Sequence, residues 1–175
     1  MKKIALIIAS KDFRDEEYFI PKEFLSGVGY RIITVGDKVG AAMGSQGGEA
    51  SIEKEIKDLN LDEFDAVVFI GGGGALENLD NEFSYRVAVD AASKDIVLAA
   101  ICIAPVILAK AGVLEGKKAT VWTSSMNQEP ARLLEGYKAD YLKDDLVIDG
   151  RIITANGPLS ALRFAEAIDK VLKKY

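Results

Sequence analysis

Short apolar runs alternate with longer amphipathic stretches along the whole of this 175-residue chain. A short apolar run bounded by glycine or charged residues is typical of a buried strand, whereas apolar residues three or four apart indicate a helix. The pattern predicts strands at residues 3–9, 30–35, 65–70, 97–101, 119–122, 140–142, 146–148 and 152–154. It predicts helices at residues 16–27, 82–93, 105–111 and 159–172.

The segments between these elements are short. Residues 36–48 are rich in glycine and are predicted to form turns or a small hairpin, and residues 53–59 a short helix or a loop. The pair at 149–150, Asp-Gly, is a typical hairpin turn. No linker or repeat interrupts the series, so we expect a single domain over residues 1–175. Apolar strands that alternate with helices indicate a mainly parallel sheet covered on both faces, and hence a flavodoxin-like three-layer α/β sandwich.

Charge and cysteine content narrow the classes of function. The net charge of −5 disfavours nucleic-acid binding. No apolar run approaches the length of a membrane span, and the charged residues from Lys11 to Glu17 end the first run too early for a signal peptide. We therefore expect no nucleic-acid partner, no membrane partner and a cytoplasmic location, which also suits a chain with one cysteine.

The chain contains no histidine. Histidine is the commonest general base and the commonest transition-metal ligand, and a homo-oligomer cannot supply one because every copy lacks it. A single cysteine also excludes an intramolecular disulfide and a cysteine zinc cluster. The aspartates at 140, 144, 145 and 149 are interpreted as a solvated rim. We expect no metal and no bound cofactor.

Two unusual segments follow predicted strands. They therefore lie at the carboxyl ends of the strands of a parallel sheet, where ligands usually bind. The first is the run Gly71–Gly74, which is either a flexible turn or a nest of backbone N–H groups for an anion or oxyanion. A dinucleotide fingerprint fits poorly, because Glu77 and Asn78 stand where a small residue is needed, and no phosphate-loop lysine follows. Flavin binding would rest on fold analogy alone.

The second segment is Cys102, which directly follows the apolar strand at 97–101. Pro105 suits the first turn of the next helix, and small alanines on either side of the cysteine allow a tight turn. The expected geometry is a nucleophile elbow, the thiol counterpart of the strained serine turn in hydrolases. Near a helix N-terminus the thiol pKa would be lowered, giving a reactive thiolate. The alternative is a free cysteine buried as a small apolar side chain.

Four motifs, in order along essentially the whole chain, resemble those of the ThiJ/PfpI superfamily. Residues 99–105, Ala-Ala-Ile-Cys-Ile-Ala-Pro, resemble its Ala-Ile-Cys-(Ala/His)-Gly-Pro elbow. Residues 64–72 resemble its strand and glycine loop, and residues 15–21 its Glu-x-x-x-Pro entry to the first helix. Residues 154–158 resemble its late Thr-Ser-x-Gly-Pro loop.

The resemblance implies a role for each matched residue. Cys102 would be the nucleophile or redox thiol, and Glu17 the acidic residue that shares a hydrogen bond with it. Gly71, Gly72 and the N–H of Ile103 would form an oxyanion hole. Without the resemblance, Glu17 would be interpreted as a solvated carboxylate in the first turn of a helix.

Several positions depart from the family pattern. PfpI-like members carry a histidine directly after the cysteine, where this chain has Ile103. Deglycase-like members carry a later histidine, whose place is taken by Trp122. Ile70 replaces the proline before the glycine pair, and Ala104 replaces the glycine of the elbow. A Cys–His protease is therefore disfavoured, and whether the chain is an enzyme stays open.

Three functions remain for the cysteine. It could sense oxidants or electrophiles, with a protonated Glu17 stabilising the oxidised or modified thiol. It could serve a deglycase-like or glyoxalase-like hydrolase acting on small aldehydes or glycated groups, with Glu17 as base. It could also be idle in a noncatalytic binding module. Trp122, Asn156 and Pro158 are candidate pocket residues, and the expected partners are small electrophiles or oxidants and further copies of the chain, as a dimer or hexamer.

Overall fold

The computed structural model describes residues 1–175. Twelve strands are present: β1 (Lys3–Ile8), β2 (Lys11–Phe13), β3 (Arg31–Gly36), β4 (Gly40–Gly44), β5 (Glu49–Ile52), β6 (Lys54–Glu55), β7 (Ala66–Phe69), β8 (Val97–Ile101), β9 (Lys118–Ala119), β10 (Asp140–Tyr141), β11 (Leu146–Asp149) and β12 (Ile152–Ala155). Six α-helices are present: α1 (Asp15–Gly27), α2 (Ala75–Asn78), α3 (Glu82–Ser93), α4 (Pro105–Lys110), α5 (Glu129–Gly136) and α6 (Ala161–Lys174). None of these helices combines the length and the apolar composition needed to cross a membrane.

Seven strands form the central sheet, in the order β11-β12-β8-β7-β1-β3-β6. All neighbouring pairs are parallel except β11 and β12. These two form the predicted hairpin, in which Asp149 lies opposite Ile152 and Gly150 takes a positive φ of 61°. The sheet is therefore mainly parallel, as the sequence predicts.

Both faces of the sheet are buried, each under its own layer of helices. Ala5 and Ile7 of β1 point to one side, where they share a core with α3, α4 and α5. Ile4, Leu6 and Ile8 point to the other side, where they share a core with α1 and α6. This alternation follows from the two-residue period of a strand. The predicted three-layer α/β architecture is confirmed.

The connections differ more from the prediction. The glycine-rich segment is a β4–β5 hairpin that reaches Ile52, and β4 also pairs with the unpredicted β2. The strand expected at 119–122 is limited to β9, which pairs with β10 outside the main sheet. It ends early because the chain then crosses the cysteine turn, where the Trp122 N–H donates to the Cys102 carbonyl at 2.8 Å. The short helices α2 and α5 were not predicted.

Candidate functional site

The glycine run and the cysteine turn meet because β7 and β8 are parallel neighbours in the sheet. Their carboxyl ends lie side by side, so the loop after Ile70 faces the turn after Ile101. Helix α1 reaches the same edge. Its start is tied to the glycine loop by the Arg14 N–H, which donates to the Gly71 carbonyl at 3.0 Å. Three sequence-distant segments thus converge on one point.

Cys102 adopts the strained conformation expected of a nucleophile elbow. Its φ is +63°, in the left-handed region. That region costs a residue with a Cβ roughly 1–2 kcal/mol. The turn is held on both sides, because the Cys102 N–H donates to the Ala155 carbonyl at 2.9 Å and its carbonyl accepts from Trp122. The surrounding sheet therefore fixes the thiol at the carboxyl end of β8, where Cys102 is half-buried.

Glu17 lies directly beside this turn rather than in solvent. The carboxyl is completely buried, and its Oε2 accepts a hydrogen bond from the Gly71 N–H at 3.0 Å. A Cβ on Gly71 would lie 2.7 Å from both the Cys102 Cβ and the Glu17 Oε2. Only glycine therefore fits between the acid and the cysteine. Glu17 Oε1 has no hydrogen-bond partner.

The bond from Gly71 changes the expected oxyanion hole. The Gly71 N–H is occupied by Glu17, so it is not free to bind a substrate oxygen. The N–H groups of Gly72 and Ile103 bond to no oxygen of the protein, and both favour the thiolate form of Cys102. Of the three N–H groups in the predicted oxyanion hole, those of Gly72 and Ile103 therefore remain without a protein oxygen as acceptor.

The remaining glycines differ in how strictly they are required. Gly72 has a φ of +110°, and a Cβ there would lie 2.4 Å from the Arg14 backbone nitrogen. A Cβ on Gly74 would lie 1.8 Å from the Lys11 carbonyl oxygen. A Cβ on Gly73 would meet nothing within 4 Å. The glycine run therefore packs closely against the backbone of residues 11–14 and is not a flexible turn.

Burial governs the protonation of Glu17. Removal from water raises the pKa of the Glu17 carboxyl to about 7, although the nearby Cys102 thiol and the Gly71 N–H favour the ionised form. The group therefore changes charge near neutral pH. A pKa near the operating pH is what a general acid or base needs.

The thiol does not have the low pKa expected from a helix N-terminus. Burial, followed by the negative charge of Glu17, raises the pKa of Cys102 above its ordinary value, and the N–H groups of Ile103 and Gly72 offset this only in part. Burial and Glu17 therefore outweigh the backbone donors at the start of the turn. Each group affects the pKa of the other, so the thiol and the carboxyl titrate as a coupled pair.

A cavity of about 430 Å³ opens onto this pair. Its lining includes the expected Cys102, Glu17, Gly72, Ile103, Trp122 and Pro158, together with Arg14, Ser45, Gly73 and Leu76. Asn156 does not line it. Its N–H and side-chain amide both bond to Asp145, and its Oδ1 accepts from Ser160, so it secures the late loop instead.

The sequence analysis missed Arg14, Ser45 and Leu76 in the cavity wall. Arg14 donates to the Glu16 carboxylate from Nε at 2.8 Å and from Nη2 at 3.2 Å. The buried Asp15 accepts from the Gln46 N–H at 2.9 Å and the Gly48 N–H at 2.7 Å, which holds the β4–β5 turn and Ser45 beside the cavity. Arg14 stands three residues before Glu17, one helical turn away, and that spacing was the available signal.

A family model described as DJ-1/PfpI matches residues 2–170. The chain belongs to the DJ-1/PfpI family. An uncharacterized protein from Methanocaldococcus jannaschii is 37% identical over 175 residues, covering 98% of this chain and 83% of the relative. A protein named as a deglycase from Pyrococcus abyssi is 27% identical over 168 residues, covering 96% of this chain and 98% of the relative.

The fold of a solved family structure is closely similar. The ThiJ/PfpI domain protein from Brachyspira murdochii superposes with a TM-score of 0.91 at 29% identity, and the match covers 99% of this chain and 97% of that one. The predicted membership of the superfamily is therefore confirmed across the whole chain. It supports a stress-related or deglycase-like role.

Proposed function

We propose that this protein captures small carbonyl electrophiles through Cys102, with Glu17 as its proton carrier, in a deglycase-like response to electrophile stress. The observation that carries the proposal is the buried Glu17 carboxyl, whose pKa of about 7 places it between its two charge states at neutral pH beside a thiol on a cavity. A relative that is named as a deglycase supports the same class of chemistry.

The chemical step is the addition of the thiol across a carbonyl group. The Cys102 sulfur forms a bond to the carbonyl carbon while the C=O π bond breaks toward oxygen. Ionised Glu17 accepts the thiol proton and then delivers it to that oxygen, so the product is a neutral hemithioacetal. The N–H groups of Gly72 and Ile103 stabilise the negative charge that develops on the oxygen.

Electrophile capture fits the pair better than oxidant sensing. Oxidants react with the thiolate that is already present at equilibrium. Burial together with Glu17 raises the pKa of Cys102, which lowers the population of its thiolate. Carbonyl addition needs the thiolate only while the thiol proton is transferred to Glu17. In addition, the chain has no second cysteine to resolve a sulfenic acid.

Consumption of methylglyoxal, together with mass analysis of Cys102, tests the proposal. Cys102→Ser is expected to abolish consumption, and Glu17→Gln to slow it by roughly 100-fold or more because the proton carrier is lost. Glu23→Gln, the same change on the exposed side of the same helix, is the matched control and is expected to behave as wild type.

Two other outcomes would contradict the proposal. If Cys102 does not react with methylglyoxal but is converted to the sulfinic acid by a low concentration of peroxide, the protein is an oxidant sensor. If neither reagent modifies Cys102 faster than a free peptide thiol, the cysteine is idle.

A further inference from the structure

Arg14 is the only cationic side chain in the wall of the Cys102 cavity. It lies immediately before helix α1, and its backbone N–H is fixed by the Gly71 carbonyl. About a third of its side chain is exposed, so the guanidinium is neither buried in the core nor free in solvent. The guanidinium of Arg14 has no role in the carbonyl addition proposed above.

Glu16 holds the guanidinium in place from one side only. Two of the five guanidinium N–H groups bond to the Glu16 carboxylate, at 2.8 and 3.2 Å. The Gln46 side-chain amide also lies beside that carboxylate, and with its nitrogen turned toward Glu16 it is 3.2 Å from each oxygen. Glu16 does not line the cavity. Glu16 therefore binds the Arg14 guanidinium without occupying the cavity. About three guanidinium N–H groups remain to bind a ligand there.

Arg14 supplies the positive charge that an anion in the cavity would meet. Glu17 and Cys102 are near enough that their negative charges, after that of Glu16, raise the pKa of Arg14. Burial favours the neutral form of Glu17, which weakens the negative charge on its side of the cavity. The guanidinium is then the strongest fixed charge facing the cavity, and a guanidinium fork binds carboxylates in two parallel hydrogen bonds.

We propose that Arg14 makes the cavity selective for electrophiles that carry a carboxylate next to the reactive carbon, such as aldehyde acids and 2-oxo acids. This inference rests on the proposed function and names its substrate class. The reactive carbon lies at the Cys102 sulfur, and the carboxylate pairs with the free side of the Arg14 fork. Leu76 and Trp122 supply the apolar wall between these two ends.

Two alkylating reagents of nearly equal size test this without any turnover assay. Iodoacetate carries a carboxylate beside its reactive carbon, and iodoacetamide carries a neutral amide there. With both, the Cys102 sulfur forms a bond to carbon, the C–I bond breaks, iodide leaves and the thiol proton passes to solvent. The measured quantity is the ratio of the two rate constants at Cys102, determined by mass spectrometry at pH 7.

In wild type the iodoacetate-to-iodoacetamide ratio is expected to exceed that of a free peptide thiol, and to fall with added salt. Arg14→Gln is expected to lower the ratio about tenfold, and Arg14→Lys to restore part of it, since lysine keeps the charge without the fork. Arg132→Gln, at an exposed arginine far along the chain, is the control and is expected to leave the ratio unchanged.

A wild-type ratio equal to that of the peptide thiol, or one unchanged in both Arg14 variants, would overturn the selectivity. Slow reaction with both reagents is expected from the raised pKa of Cys102, and the ratio is then determined after longer exposure. The proposed function is tested separately, by the consumption of methylglyoxal, so a failure of one does not hide a failure of the other. If Arg14→Gln fails to fold, as judged by circular dichroism, Arg14→Lys and the salt dependence decide the question.

Discussion

The protonation of Glu17 follows from its position in the first turn of α1. The same turn on a free helix would leave the carboxylate in water, where the helix dipole favours its charge. Here the Gly71 N–H draws the carboxyl under the glycine loop, and complete burial reverses the preference. The residue therefore destabilises the folded protein whenever it is ionised.

Glu17→Gln is expected to stabilise the protein in a pH-dependent way. The folded pKa, about 7, is raised above the ordinary value of 4.5, so the stability given by protonated Glu17 is complete below pH 4.5 and is lost as pH rises through 7. The variant should gain up to about 3 kcal/mol over wild type between pH 4 and pH 8. Urea unfolding at the two pH values measures this, and a gain equal to that of Glu23→Gln would contradict it.

The strain at Cys102 can be isolated by comparing two truncations. Cys102→Ala and Cys102→Gly both remove the sulfur, but only alanine keeps a Cβ at the φ of +63°. Glycine is expected to be more stable than alanine here by about 1 kcal/mol, the reverse of the order at an ordinary position. Thermal unfolding of the two variants checks this, and the usual order, with alanine more stable, would show that the turn is relaxed.

At the scale of elements, the site depends on loops that approach one another without room for side chains. The glycine loop after β7 crosses the β2–α1 connection, and Gly74 lies against the Lys11 carbonyl. The β4–β5 turn is held to the start of α1 by Asp15.

Alanine substitutions along the glycine run should separate required from replaceable positions. Gly74→Ala is expected to cost about 3 kcal/mol or more, because its Cβ would meet rigid backbone at 1.8 Å. Gly73→Ala, with open space around it, is the matched control and is expected to be nearly neutral. Denaturant midpoints measure both, and equal costs would mean that the loops are not packed as described.

Asp15→Ala is expected to loosen the β4–β5 turn. The Gln46 and Gly48 N–H groups lose a charged acceptor, which should cost about 1–3 kcal/mol. Hydrogen exchange at these two amides should speed up, whereas Asp58→Ala, at an exposed aspartate, should leave them unchanged. Unaltered exchange in Asp15→Ala would show that the turn is held by other contacts.

The sequence could predict these elements where the pattern of apolar residues was distinct. The bounds of α3 and β8 were predicted without error, because α3 shows a helical period over twelve residues and β8 is an unbroken apolar run. Strand β2 has three residues and α2 has four, too few for either period to show. The motifs located Cys102 and Glu17, but the sequence could not reveal that burial outweighs the helix dipole at the thiol. It also could not reveal that Asn156 turns toward Asp145.

At the scale of the whole molecule, the site is built from the carboxyl edge of one sheet, so it should unfold together with the fold. Trp122 is the only tryptophan and lines the cavity, which makes its fluorescence a local reporter. Its midpoint in urea is expected to coincide with that of far-ultraviolet circular dichroism. An earlier fluorescence transition would show that the site opens independently of the sheet. Assembly into a dimer or hexamer stays a prediction.

The dependence of Cys102 alkylation on pH tests the central claim, that thiol and carboxyl act as one coupled pair. With iodoacetamide, the wild-type rate is expected to rise with an apparent pKa near 7, as the pair loses its first proton. Glu17→Gln should remove this step and leave a single rise at the ionisation of an isolated, buried thiol. Identical profiles in the two proteins would contradict the account.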